Sequence, residues 1–336
     1  MRFMLSFDSG VPVCHCINKA GKKVATLHIT EEKEKPDISV DDEDINSLIS
    51  KKDIDYVQKI MKLSTIEVKQ IIKALSSGQE AIDQLNDRLK LAIITLRGMT
   101  QNNLKTHINF SKSDEIDKLV PLIGGGGFYR SIFLTGPSGS GKTMLSEDIM
   151  LHDEKFRPCV VFSKIDEDDS LKRLRKQKLN SKTELEEQRD KKERLIKIRL
   201  QTEDDLLNLP SNEMLKNCVI LFDDLDSFPP SISAFLNVYR DQILESGRHH
   251  NITVLSTSHQ LYNWAKTRVI LNEAETVCMF PHSNKRNSML FLRDRLGLGK
   301  DEIVNIVDEA MNSGRYLICK MSAPNIIITE KSILLL

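Results

Sequence analysis

Short apolar runs separated by helical stretches follow one another from about residue 115 onward. They are rich in Val, Ile, Leu, Phe and Cys, which is typical of parallel strands that are buried on both faces of a sheet. The runs are Ser131–Thr135, Cys159–Phe162, Cys218–Phe222, Ile252–Ser256 and Val277–Phe280. We therefore predict an α/β fold for residues 116–336, with a mainly parallel sheet and helices on both of its faces.

The beginning of the chain follows a different pattern. Residues 1–30 alternate between apolar and polar side chains around two turn signals that end in Gly10 and Gly21, which predicts a small β meander. Residues 31–52 are expected to form an acidic linker, since Glu31–Asp44 holds eight acidic residues in fourteen.

Residues 53–115 favour a helical region. Ser64 and Glu67 have capping-box spacing. Five apolar residues fall on one helical face: Ile82, Leu85, Leu89, Ile93 and Leu96. Such a stripe is typical of a plain helical subdomain, and the alternative is an assembly or partner surface.

A charged insertion is predicted at residues 170–199, where twelve basic and five acidic residues occur. We expect a long charged helix or hairpin there. Its role is either that of a solvated surface or that of a basic arm over a phosphate backbone.

Composition narrows the class of protein. The 336 residues include 48 Lys and Arg against 48 Asp and Glu, so only a local patch could attract a polyanion. No run approaches the roughly 18 apolar residues of a membrane span, and no signal-peptide pattern opens the chain. The six cysteines resemble small buried residues of a reducing compartment. We expect a soluble, unsecreted protein.

The strongest chemical signal is a phosphate-loop pattern between a predicted strand and a predicted helix. Its glycines allow the backbone to approach an anion, its lysine neutralises β and γ oxygens, and its last hydroxyl ligates Mg²⁺. The pattern comprises Gly136, Pro137, Ser138, Gly139, Ser140, Gly141, Lys142 and Thr143. This context predicts nucleotide binding.

Two acidic residues end the strand Cys218–Phe222, eighty residues after Thr143. A carboxylate at the tip of a neighbouring strand can hold the Mg²⁺ shell, and we assign this role to Asp223. Asp224 would then face the γ-phosphate and orient or deprotonate the attacking water. The alternatives for Asp224 are a helix N-cap and a residue that supports the metal ligands.

With these motifs the sequence resembles the additional-strand, RecA-like branch of P-loop ATPases, and within it the FtsK–HerA superfamily. It is similar to the poxvirus-type DNA-packaging ATPases of nucleocytoplasmic large DNA viruses. The resemblance depends on the phosphate loop, on the two acids, and on the segment 247–260, where an arginine precedes a core strand and a glutamine ends it. It covers roughly residues 125–285.

The resemblance implies roles for two further residues. Gln260 corresponds to the polar sensor of the γ-phosphate or the attacking water, although Ser258 or His259 is an alternative sensor. Arg248 corresponds to a finger that reaches the nucleotide of a neighbouring subunit, which requires a ring. The alternative for Arg248 is a surface position at a helix end.

The expected function is that of an ATPase that uses ATP and Mg²⁺ to package or translocate duplex DNA. The resemblance implies a homo-oligomeric ring, duplex DNA, and capsid or other assembly proteins bound through the N-terminal region. It also implies a location in the host cytoplasm, at a viral factory, or in the virion. Two alternatives are a P-loop kinase of a small molecule or nucleoside, and a nucleotide-dependent assembly protein with slow turnover. Asp224 favours the latter, since many relatives have the longer glutamate.

Overall fold

The computed structural model describes residues 3–31, 45–46, 49, 51–111, 115–123, 131–165, 169–177 and 193–336. The chain divides into two compact units. One comprises Met1–Leu5 and Glu31–Ile108, and the other comprises Ser6–Thr30 and Asn109–Leu336. Strand β1 (Phe3–Ser6) and strand β4 (His107–Asn109) span the divisions between them. Most of the predicted acidic linker lies outside the described residues.

The smaller unit is helical, with α1 (Lys51–Met61), α2 (Thr65–Ser77), α3 (Gln79–Asp83) and α4 (Asp87–Thr106). The predicted capping box is confirmed: the Ser64 side chain accepts a hydrogen bond from the Glu67 backbone, and Glu67 accepts one from the Ser64 backbone. The five apolar residues of the predicted face all belong to or pack against one core. The single helical face is wrong, because Ile82 lies in α3, Leu85 in the turn after it, and the other three residues in α4.

Three strands of the larger unit form a small antiparallel sheet. Strand β2 (Val11–Ile17) pairs with β3 (Lys23–Glu31) on one side and with β5 (Lys118–Pro121) on the other. The pairing with β5 explains why Ser6–Thr30 belongs to the larger unit instead of forming the separate meander that we expected.

The six cysteines are all buried and free.

The larger unit contains the predicted mainly parallel sheet. Its described strands are β6 (Ser131–Thr135), β7 (Cys159–Phe162), β8 (Leu195–Ile198), β9 (Val219–Phe222), β10 (Thr253–Ser258), β11 (Thr276–Met279), β12 (Leu317–Lys320), β13 (Ile326–Thr329) and β14 (Ser332–Leu335). Their order is β14-β13-β12-β11-β6-β10-β9-β7-β8. From β11 to β8 neighbouring strands run parallel, whereas β12, β13 and β14 continue the sheet antiparallel.

Helices pack on this sheet through two apolar cores. The α-helices of this unit are α5 (Lys142–Leu151), α6 (Lys172–Arg175), α7 (Pro230–Ser246), α8 (Trp264–Glu273), α9 (Pro281–Leu296) and α10 (Lys300–Ser313). One core joins β7, β8 and β9 to α7, and the other joins β6, β11 and β12 to α8, α9 and α10. In the described part of the chain, no helix has both the length and the apolar character of a membrane span.

Both ends of the predicted charged insertion, residues 170–199, belong to regular structure of the larger unit. Residues 172–175 form the short helix α6, and Leu195–Ile198 forms β8, which pairs parallel with β7. Ile196 and Ile198 are buried, but the basic residues around them conceal this alternation in the sequence. Most of the segment expected to form a long helix or hairpin, residues 178–192, lies outside the described part of the chain.

A buried ionic cluster joins the end of α5 to the start of β8. Asp153 and Arg157 form a salt bridge of 3.1 Å, and Arg194 approaches Asp153 to 3.7 Å. The fully buried Arg194 also donates to the carbonyl oxygens of Arg157 and Met150, at 3.0 and 2.7 Å. Two guanidinium groups therefore depend on one buried carboxylate.

We expect Asp153→Asn to destabilise the protein by about 3–5 kcal/mol, because it leaves two buried cations without their counter-charge. Chemical denaturation measures the free energy of unfolding. Asp294→Asn is the control, since its pair with Arg293 is exposed and should contribute little. Equal stability of Asp153→Asn and wild type would contradict the importance of the cluster.

Candidate nucleotide-binding site

The predicted phosphate loop lies between strand β6 and helix α5, at the centre of the sheet. Gly141 caps the helix with φ of 106°, a conformation that L side chains rarely adopt. A Cβ added at Gly136 would lie 2.9 Å from Ser140 Oγ, so this glycine keeps the loop narrow. The loop therefore presents backbone N–H groups and a helix N-terminus at one place, as an anion site requires.

Lys142 lies over this loop. Its Nζ donates to the carbonyl oxygens of Gly136 and Pro137, at 2.7 and 3.0 Å. Burial lowers the pKa of Lys142, whereas the charges of Asp224 and Asp223 act in the opposite direction. The amine is therefore already beside the loop that would receive phosphate oxygens.

Asp223 follows β9 and is buried. Thr143 Oγ1 donates to its Oδ1 at 3.4 Å, so the last hydroxyl of the loop faces the first of the two acids. Hydroxyl and carboxylate oxygens are the ligands that Mg²⁺ prefers, usually together with phosphate oxygens and water. The pair fits the metal predicted from the sequence.

Asp224 has a left-handed backbone, with φ 45° and ψ 58°. Its Oδ2 lies 2.9 Å from His259 Nε2. Its Oδ1 is buried and has no hydrogen-bond partner among the described residues. A buried acceptor without a partner is costly, and this one lies next to the acid that faces the phosphate loop. Asp224 thus has one oxygen in contact with histidine and one that is buried without a hydrogen-bond partner in the described part of the chain.

Strand β10 supplies further polar groups to this edge of the sheet. Thr257 Oγ1 donates to Asp223 Oδ1 at 2.9 Å and accepts from the Asp224 backbone N–H at 2.8 Å. Ser163, just after β7, lies 3.5 Å from Asp223 Oδ2. Both acids are therefore held by hydroxyl groups from neighbouring strands.

Three candidate sensors lie at the end of β10. His259 contacts Asp224, as described above. Gln260 is exposed, and its side-chain oxygen accepts a hydrogen bond from Asn263 Nδ2 at 3.0 Å. The Ser258 carbonyl accepts from the Gly136 backbone N–H at 3.1 Å. Of the three side chains, the structure brings His259 into contact with Asp224.

Arg248 lies before the start of β10, at the end of the parallel strands that is opposite to the phosphate loop. It is exposed in the short 3₁₀ turn Gly247–His250, which precedes β10, and its Nε lies 3.5 Å from His249 Nε2. The phosphate loop lies at the other end of the parallel strands, since Ser258 aligns with Thr135. Six residues of strand, roughly 20 Å, separate Arg248 from the acids of its own chain.

Comparison with known proteins agrees with this geometry. Residues 129–264 match the family model described as AAA domain. This range contains the phosphate loop, the strand that carries both acids, and β10. The fold of this part of the chain is that of a P-loop NTPase. The chain is 30% identical over 183 residues to the uncharacterized protein V3 of Sputnik virophage. The aligned region covers 53% of this chain and 66% of V3, just under two thirds.

Two solved NTPase structures are also similar to this chain. The genome packaging NTPase B204 of Sulfolobus turreted icosahedral virus 2, in complex with sulfate, has 15% identity and a TM-score of 0.40. That match covers 61% of this chain and 98% of B204. The cytoplasmic domain of the type VII secretion ATPase EccC of Thermomonospora curvata has 12% identity and a TM-score of 0.39, and the match covers 67% of this chain and 28% of that one.

Two contacts of this candidate site were not assigned from the sequence. The hydroxyl groups of Thr257 and Ser163 reach Asp223 only because β10 and β7 both lie beside β9 in the sheet. Each hydroxyl residue is next to the carboxyl end of an apolar run. This position at a strand end suggests a role in the site. However, only the strand order shows that both hydroxyl groups contact Asp223.

We expect Lys142→Ala to lose at least about 100-fold in turnover, because the positive charge next to the transferred phosphoryl group disappears. Phosphate release measures turnover, and a fluorescent ATP analogue measures affinity. Lys300→Ala, at an exposed position on α10, is the matched control. Unchanged turnover in Lys142→Ala would place the phosphates elsewhere.

Proposed function

We propose that this NTPase is a Mg²⁺-dependent ATPase of the viral DNA-packaging type, which hydrolyses ATP at the boundaries between subunits of a ring. The observation that carries the proposal is the separation of Arg248 from the phosphate loop of its own chain. An arginine at the opposite sheet edge can complete a nucleotide site only if it belongs to a second copy.

Binding of the triphosphate would use the loop and the two residues that follow it. The backbone N–H groups of residues 136–141 bind β-phosphate oxygens, and Lys142 turns from its carbonyl partners toward the β and γ oxygens. Thr143 and Asp223 would hold Mg²⁺, which would supply positive charge beside the phosphate oxygens.

Water activation is assigned to Asp224. Its unpartnered Oδ1 accepts a hydrogen bond from the attacking water and takes its proton as the water oxygen bonds to the γ-phosphorus. The bond from that phosphorus to the β–γ bridging oxygen breaks, and ADP leaves with the electron pair. His259 fixes the other oxygen, so the carboxylate is held in one orientation. A side chain shorter than glutamate suits this role if the backbone brings it close, which the left-handed turn at residue 224 favours.

The neighbouring subunit supplies the remaining charge. A guanidinium offers planar, forked donors that suit a phosphoryl group. Heterologous contacts that close on themselves form rings, so one Arg248 per boundary would serve every site. Gln260, which is exposed beside Asn263, is assigned to sensing the γ-phosphate together with His259.

Duplex DNA as the polymer moved, capsid or assembly proteins as partners of the N-terminal region, and a viral factory or the virion as location are parts of the same proposal. The virophage relative supports the viral setting. The proposal of a packaging activity depends on the resemblance of residues 248–260 to packaging ATPases. In this segment an arginine precedes a core strand and polar residues end it.

A P-loop kinase is the second candidate. A kinase must exclude water and hold an acceptor, whereas the unpartnered oxygen of Asp224 favours water as the nucleophile. A slow nucleotide-dependent assembly protein is the third candidate, and turnover measurements separate it from a motor.

We expect Arg248→Ala to keep ATP affinity but to lower turnover by about 10³-fold or more, since an arginine finger contributes on this scale. Phosphate release and analogue binding measure the two quantities. Arg286→Ala, at an exposed position on α9, is the matched control. An unchanged turnover rate in Arg248→Ala would remove the arginine finger from the proposal.

Mixing two inactive variants tests whether Arg248 acts between subunits. Asp224→Asn lacks the water-directed acid, and Arg248→Ala lacks the arginine, but a boundary between the two can hold both groups intact. With random mixing, about a quarter of the boundaries would be complete, so we expect activity to return. Continued inactivity in a mixed oligomer would show that Arg248 serves its own chain or no site.

We expect duplex DNA to stimulate phosphate release without any added acceptor, and nucleotide to increase the particle mass to that of a ring. Light scattering measures the mass. Release that requires a small-molecule acceptor would favour the kinase instead. A monomer that hydrolyses ATP at full rate would contradict the proposed ring.

A further inference from the structure

Thr257 occupies a junction between three strands of the NTPase site. It aligns with Leu134 of β6, the strand that leads into the phosphate loop. On the other side of β10 lies β9, the strand that leads into the two acids. Thr257 is only 6% exposed, so its hydroxyl group depends on protein partners.

The hydroxyl group of Thr257 uses both of its hydrogen-bonding functions on the acids. It donates its proton to Asp223 Oδ1 at 2.9 Å, and it accepts the backbone N–H of Asp224 at 2.8 Å. Valine has nearly the same shape but can do neither. One oxygen atom thus contacts both the carboxylate of Asp223 and the backbone of Asp224.

We infer that Thr257 is a positioning residue for ATP hydrolysis, which orients the metal ligand Asp223 and the backbone that carries Asp224. The inference depends on the proposed roles of these two acids. It concerns neither DNA nor the ring.

The effect on Asp223 follows from the shared oxygen. Oδ1 faces both Thr257 and Thr143, the other expected metal ligand, at 2.9 and 3.4 Å. A hydrogen bond to a ligating carboxylate fixes its rotation, and loss of such a partner typically costs 10–100-fold in metal affinity or activity. The bond from Ser163 to the other oxygen is longer, at 3.5 Å, and should matter less.

The effect on Asp224 follows from its backbone. A left-handed conformation is uncommon for a residue other than glycine, although aspartate tolerates it better than most, and contacts with the surroundings stabilise it. The hydrogen bond from the Asp224 N–H to Thr257 supplies such support. This backbone conformation determines where the unpartnered Oδ1 of Asp224 lies.

We expect Thr257→Val to need roughly 10–100-fold more Mg²⁺ for half-maximal hydrolysis and to have a lower kcat. It should also lose the gain in affinity for a fluorescent ATP analogue that Mg²⁺ gives to wild type. Affinity for the analogue in EDTA should stay unchanged, because the phosphate loop is intact. Thr257→Ser, which keeps the hydroxyl group, should restore both properties.

Two variants separate positioning from packing. Thr257→Cys keeps a weak donor and should fall between Ser and Val, which also keeps the test valid if Val unfolds. Ser163→Ala removes the longer bond and should have the smaller effect. Melting temperatures exclude variants that are not folded at the assay temperature.

Two results would overturn the inference. One is a Val variant with the Mg²⁺ dependence and kcat of wild type. The other is an equal loss in the Ser and Val variants, which would assign the effect to packing. All assays omit DNA, so absent stimulation by DNA would leave the inference standing, whereas wild-type hydrolysis that needs no Mg²⁺ would refute the proposed function first.

Discussion

Parallel pairing of β6 with β10, and of β10 with β9, is the constraint on which the site depends. Each of these strands ends at the same edge of the sheet, so the loop after β6, the acids after β9 and the polar end of β10 must meet there. The apolar cores on either side hold the strands in this order. Groups from three distant parts of the sequence are thereby placed within hydrogen-bonding distance, at a position where open α/β sheets bind ligands.

The helix that follows the phosphate loop is held by buried charge as well as by apolar packing. Glu147 accepts the backbone N–H groups of Arg173 and Leu174, at 2.7 and 3.1 Å. The Arg173 guanidinium bonds to Glu147 and to Asp148, at 2.6 and 2.8 Å. Lys118 of β5 also bonds to Asp148. These contacts connect α5 to α6 and to strand β5 of the small sheet.

Local sequence patterns were enough to predict part of this molecule. The phosphate loop and the capping box at Ser64 lie within a few consecutive residues, so composition and spacing identify them. The apolar strands of the parallel sheet were predicted for the same reason. The break before α4 was missed, although Asn86 gives its signal: its Oδ1 accepts the Leu89 backbone N–H at 3.0 Å, which starts a new helix.

Contacts that depend on strand order could not be predicted. Thr257 meets Asp223, and His259 meets Asp224, across more than thirty intervening residues. Nothing in a single sequence says that β10 lies between β9 and β6. Strand β8 was missed for a different reason, because basic residues such as Lys197 and Arg199 interrupt its two buried isoleucines and gave it the composition of a solvated segment.

Strand β10 follows the short turn that contains Arg248, and Thr257 lies near its other end. Because β10 is hydrogen-bonded to β6 on one side and to β9 on the other, the spacing between its two ends is fixed. One central strand therefore sets the distance between the exposed arginine turn and the hydroxyl group that contacts both acids.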